Sequence, residues 1–249
     1  RTDTELLLGK NAASDAFNDT RLASALDGLD EAGTDAILFD VVRRYLADPD
    51  RPTVYSVHTD TTSVSMHGAY EDHEDELQIV RGFSKARRPD LKQLIFGLSL
   101  HGAVGIPLIA TVMSGNTADS TVNRDHLARL VKLLPSTDDV TIVADCKLVD
   151  RDTLGRVLGA GFHVVSLLPG TFSLRSTLLE RAWSEFADAA TWPELERHPG
   201  RTKADPDRVY RGRSYVEPFE VKLRAGANPD NEAHASMEEM RFLVVHSST

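Results

Sequence analysis

Between Asn18 and Leu46 apolar residues recur at Leu22, Leu26 and Leu29, then at Ile37, Leu38, Val41, Val42 and Tyr45. That is the three-and-four spacing of amphipathic helices. Gly33 interrupts the pattern, so two helices are expected, with Asp19 and Thr34 as candidate N-caps and Pro49 and Pro52 closing the segment. The period then changes. VYSVHTDTTSVSM, LKQLIFGLSLHG and IPLIATVMSG are short β-type runs separated by glycine and proline punctuation, which predicts three consecutive strands. TVNRDHLARLVKLLP returns to helical spacing, and DVTIVADC is an almost continuous apolar strand. DRDTLGRVLGAG is a helix closed by Gly161, and FHVVSLLPG is a further buried strand. The order βββαβαβ predicts a mixed α/β sheet that begins with antiparallel hairpins, ends with parallel strands and carries helices on both faces.

After Gly170 the pattern loosens. TLLERAWSEFADAA predicts a helix, PELERHPGRTKADPDR a polar, proline-bearing loop, and VYRGRSYVEPFEVKLRAG and MRFLVVHS strands. Three units follow: a helical segment over residues 1–50, a core over 51–170, and an inserted α/β segment, rich in β-strand, over 171–249. No internal repeat or low-complexity tract is evident.

Composition narrows the class. The 249 residues are 41% hydrophobic, enough for a substantial core, and no run approaches the length of a membrane span. A soluble, cytoplasmic chain is expected. Cys146, the single cysteine, permits neither an internal disulfide nor a cysteine-rich zinc site. A net charge of −10 argues against a uniformly basic nucleic-acid binder but leaves room for a local basic patch.

Within VYSVHTDTTSVSMHGAY, Asp60 stands among three threonines and two histidines, His58 and His67. A strand built only for packing would place apolar residues there. Asp60, at the end of its strand run, and Asp145, near the end of TIVADC, are expected to project from the carboxyl ends of neighbouring strands, where α/β sheets place their sites. Two carboxylates brought together repel unless a cation neutralises them, and their hard oxygens suit Mg²⁺ or Mn²⁺. The surrounding threonines would supply a polar floor for a hydrated ion. The alternative for either aspartate is a strand-end turn residue. His58 and Asp60 share a strand face, which admits a zinc pair, but a packed or hydrogen-bonded histidine is the preferred reading. RGFSKARRPDLKQ gathers Arg81, Lys85, Arg87, Arg88 and Lys92, a stretch suited to binding phosphates. Its alternative is a solvated loop balancing the acidic EDHEDE before it.

Taken in order, FNDTRLASALDGL, TDTTS around Asp60, GFSKARRPDLKQ, SGNTADS and VADCKLVDRDTL around Asp145 resemble the DDE transposases of bacterial and archaeal insertion sequences. The resemblance covers nearly the whole chain and implies a ribonuclease H-like core. It implies an enzyme that cleaves DNA at transposon ends and joins it to a target, with Mg²⁺ or Mn²⁺ held by Asp60 and Asp145 as the first and second catalytic aspartates. It also implies DNA as partner, with a homo-oligomer formed on it. The family's third carboxylate is a helical glutamate after the inserted segment, so the chain is expected to be a fragment with an incomplete site. Tyr210, Arg213 and Glu217 have the spacing of the family's glutamate motif, but Pro218 and the alternating flanks fit a helix start poorly. Alternatives are a catalytically dead remnant that only binds DNA, and a ribonuclease H-like nuclease without strand transfer.

Overall fold

The computed structural model describes residues 18–70, 77–85, 87–200, 202, 205–224 and 232–248; the acidic run at 71–76 lies outside them. Among the described residues no helix is long and apolar enough to cross a membrane. Helices α1 (Asp19–Ala32) and α2 (Thr34–Ala47) come first. Both caps lie one residue before the expected ones. The Asn18 side chain accepts the Arg21 N–H at 2.9 Å, leaving Asp19 as the first helical residue, and Gly33 stands at the N-cap of α2 without a side-chain bond. At φ +79° Gly33 occupies the left-handed region that a Cβ disfavours, and this breaks the two helices apart. α2 buries Val42 and Leu46 in the main core, whereas α1 buries none of its residues.

Then follow β1 (Ser56–Met66), β2 (Lys92–His101), β3 (Pro107–Ser114), α3 (Asp119–Leu133), β4 (Thr141–Ala144), α4 (Arg151–Gly159) and β5 (His163–Val165). They form a mixed five-stranded sheet of spatial order β3-β2-β1-β4-β5. β1, β2 and β3 pair antiparallel, and β1, β4 and β5 pair parallel. Along β1 the alternation is clear: Val57, Thr59 and Thr61 are buried, and His58, Asp60 and Thr62 are exposed. The buried face packs Val57 and Ile142 with Leu127 and Leu130 of α3, Val157 of α4 and Val42 of α2. The helices thus gather on one face. Exposed His58, Asp60, Thr62 and Val64 of β1 and Val112 of β3 leave the other open among the described residues, contrary to the expectation of helices on both. β1 gives that face mostly polar positions, while β2 sets half-buried Leu94, Phe96, Leu98 and Leu100 beside them.

The covered face also holds a polar chain. Thr59 Oγ1 meets Ser99 Oγ at 2.8 Å, Ser99 Oγ meets His126 Nδ1 at 2.8 Å, and His126 Nε2 meets Thr111 Oγ1 at 2.8 Å. All four residues are buried. Gly97 makes the space, since a Cβ there would lie 2.5 Å from Val122 Cγ1 and 3.0 Å from His126 Nε2. Desolvation in this setting holds the His126 imidazole down at about 4.

The remaining chain forms α5 (Ser173–Glu185) and a three-stranded antiparallel sheet, β6 (Glu194–His198), β7 (Arg208–Arg224) and β8 (Ala233–Ser247), in that spatial order. β6 falls where a loop was expected. Every one of its residues is exposed, so it carries no burial alternation, and only pairing with β7, from Glu194↔Arg211 to His198↔Arg208, makes it a strand. Leu178 and Ala182 of α5 pack with Trp192, Tyr215 and Val244. Phe219 and Val221 of β7 share a cluster with Leu154 of α4, so the second sheet is built onto the first through a common core. At Gly155 of α4 the contact is backbone to backbone: a Cβ would lie 1.9 Å from the Lys222 carbonyl oxygen.

Candidate metal and nucleic-acid site

The parallel pairing of β1 with β4 ends at the rung Thr59↔Ala144. Asp60 and Asp145 are the next residues on each strand. Adjacent strands lie about 4.8 Å apart, and residues one step beyond a shared rung fall on the same side of the sheet while both chains stay extended. Asp145 does stay extended, at φ −70° and ψ 178°. Both aspartates are exposed.

Their positions along the strands differ from expectation in one respect. Asp60 lies inside β1 rather than at its end, because β2 continues to pair with β1 as far as Met66. The sheet splits instead: β4 turns away after Ala144 into a single 3-10 turn, Cys146–Leu148, that Asp145 caps by accepting the Lys147 N–H at 2.9 Å. The threonines are divided as well. Thr59 and Thr61 point to the buried face, and only Thr62 shares the exposed side with Asp60, so the expected polar floor is the network beneath the sheet.

Asp60 accepts its neighbour's Thr61 N–H on Oδ1 at 2.7 Å. Each aspartate thus spends Oδ1 on a main-chain donor, and among the described residues no hydrogen-bond donor reaches Oδ2 of either. Two exposed carboxylates, each fixed by a main-chain bond and each with an oxygen to spare, suit a hard divalent cation. They make a partial site. Among the described residues no group of three or more His, Cys, Asp and Glu side chains is placed to hold a metal. His58 lies on the same exposed face without completing such a group, and His67 is exposed beyond the end of β1. Glu217 is a strand residue of β7 opposite Met240, and its carboxylate receives Arg181 Nη1 at 2.7 Å. That ion pair and strand geometry account for Glu217 without a metal.

Asp119, which was not singled out from the sequence, joins Asp60 through Thr61 and Lys85. Thr61 Oγ1 donates to Asp119 Oδ1 at 2.7 Å, and Lys85 Nζ lies 3.7 Å from Asp60 Oδ1 and 3.9 Å from Asp119 Oδ2. Asp119 is the first residue of α3, where a carboxylate faces the positive end of the helix dipole. That local explanation hides its second role in the sequence.

The basic run is partly occupied within the chain. Arg88 grips Asp90 through two bonds of 2.8 and 2.6 Å, and this hydrogen bonding holds the Asp90 carboxyl down at about 2. Arg81 Nε donates to the Asp90 carbonyl at 3.4 Å, Lys92 Nζ donates to the Tyr70 carbonyl, and Lys85 Nζ donates to the Thr61 carbonyl at 2.5 Å. Arg87, exposed at φ +57°, has no side-chain partner among the described residues. Nothing in these contacts forms an extended basic surface. Compared with known proteins, the chain matches no protein-family model, no curated protein and no solved structure.

Proposed function

We propose that this chain carries the ribonuclease H-like core of a DDE transposase, in which Asp60 and Asp145 hold Mg²⁺ or Mn²⁺ for cleavage and transfer of DNA strands. The observation that carries the reading is the Thr59↔Ala144 rung, beyond which Asp60 and Asp145 are the next residues of the two chains where the central strands part. The order βββαβαβ, with antiparallel pairing before parallel, supports it. Asp60 and Asp145 would hold the metal, which when bound would activate a water or 3′-hydroxyl and offset charge on the phosphate. The chain's own task is positioning: β1 and the turn after β4 fix the carboxylates, and Arg87 offers a phosphate contact.

Manganese titration tests the metal site directly. Asp60→Asn and Asp145→Asn should each weaken Mn²⁺ binding at least about tenfold, since loss of a group that only orients a ligand already costs about that much. Their melting temperatures should match the parent chain, because both side chains are exposed and asparagine keeps the oxygen that accepts each main-chain N–H. Unaltered binding in both variants sinks the reading. A second reading, a DNA-binding remnant without chemistry, is favoured because among the described residues no third His, Cys, Asp or Glu is placed to hold a metal with the two aspartates. Cleavage of transposon-end DNA by the parent chain but not by Asp60→Ala would decide for the enzyme.

If the basic run meets DNA, Arg87→Ala should lower the slope of log affinity against log salt by about one contact. Arg88→Ala should lower it less, since Asp90 already claims that guanidinium. Equal slopes for parent and Arg87→Ala assign the run to structure.

A further inference from the structure

Among the described residues, β1 beyond the Thr59↔Ala144 rung has a strand partner on one side only. There the Thr61 carbonyl and hydroxyl are both engaged by Lys85 Nζ, at 2.5 and 2.6 Å. The Lys85 main-chain N–H also donates to Ser63 Oγ at 3.2 Å, which fixes the side chain's root over the same strand. The ammonium is therefore anchored to β1 by neutral groups, and the carboxylates of Asp60 and Asp119 lie just outside hydrogen-bond range, at 3.7 and 3.9 Å. A unit positive charge is held against the first candidate ligand without occupying its Oδ2.

We propose that Lys85 is a positioning residue, a built-in counter-cation that keeps the Asp60 and Asp119 carboxylates together and lowers the affinity of Asp60 for a divalent ion. The inference rests on the reading of Asp60 and Asp145 as metal ligands. Like-charged carboxylates need a cation between them, and the ammonium meets part of that need permanently. An incoming Mg²⁺ or Mn²⁺ gains correspondingly less and is repelled by a charge that Thr61 does not release. Lys85 is thus a brake on metal loading.

The test is Mn²⁺ titration of the whole chain, read from the resonance signal of the free ion, which needs no catalytic turnover. Lys85→Met and Lys85→Gln should bind Mn²⁺ about tenfold more tightly, the scale of a single against a double charge several ångström apart in a water-like dielectric. Lys85→Arg, which keeps the charge, should match the parent. Gln preserves a donor for the Thr61 carbonyl and serves should Met fail to fold. Binding that is lost in Asp60→Asn yet equal in Lys85→Gln and the parent overturns the role given to Lys85 alone. Binding indifferent to Asp60→Asn overturns the metal reading and this inference with it.

Discussion

Gly155→Ala should destabilise the chain by about 3 kcal/mol, at the upper end of ordinary overpacking. An added Cβ would sit 1.9 Å from the Lys222 carbonyl oxygen and 2.4 Å from its carbon. These are backbone atoms of β7, so no side chain can rotate away. Either α4 or the second sheet must retreat, loosening Leu154 from Phe219 and Val221. Helix propensity acts the other way, favouring alanine by about 1 kcal/mol, and the clash outweighs it. Gly28→Ala is the control: it lies within α1 with nothing within 4 Å of its Cβ position, so only propensity acts and stability should rise by about 0.5–1 kcal/mol. Urea midpoints of the two variants should therefore move in opposite directions. A Gly155→Ala midpoint at or above that of the parent would mean that α4 and β7 are not in contact.

Acid should weaken the fold through His126. Its folded value, about 4, lies below the ordinary 6.5, with desolvation as the main cause, Asp125 opposing it and Arg129 adding to it. The sign follows: between the two values the unfolded chain binds a proton that the folded chain refuses, so stability falls as pH falls. The contribution is fully present above about 6.5 and is lost by about 4, amounting to about 3 kcal/mol. Between about pH 7 and pH 5 the loss should be about 2 kcal/mol. His126→Gln keeps an acceptor and a donor for the Ser99 and Thr111 hydroxyls and cannot charge, so its stability profile should be flatter over that window. Parallel profiles for parent and variant would exclude His126 as the source.

The sequence by itself determined the order of elements. Helical and alternating periods are local properties, so the two N-terminal helices, the βββαβαβ run and the breaks at Gly33 and Gly161 were legible in the pattern of apolar residues. Asp60 and Asp145 stood out for a related reason, as carboxylates within or near the end of strand-type runs. Cap positions were missed by one residue because Asn18 and Asp19 are chemically interchangeable as caps, and only the Arg21 N–H chooses between them. Tertiary structure alone decided the rest. β6 is a strand because β7 lies beside it, which no property of ELERH announces. That α2, α3 and α4 pack on one face of the first sheet, that this sheet parts after Thr59↔Ala144, and that Lys85 reaches Thr61 across 24 positions of sequence are outcomes of pairing between distant segments. Strand register and the folding-back of a loop are settled by burial and hydrogen bonding summed over the whole chain, and a single stretch of residues carries no record of that sum.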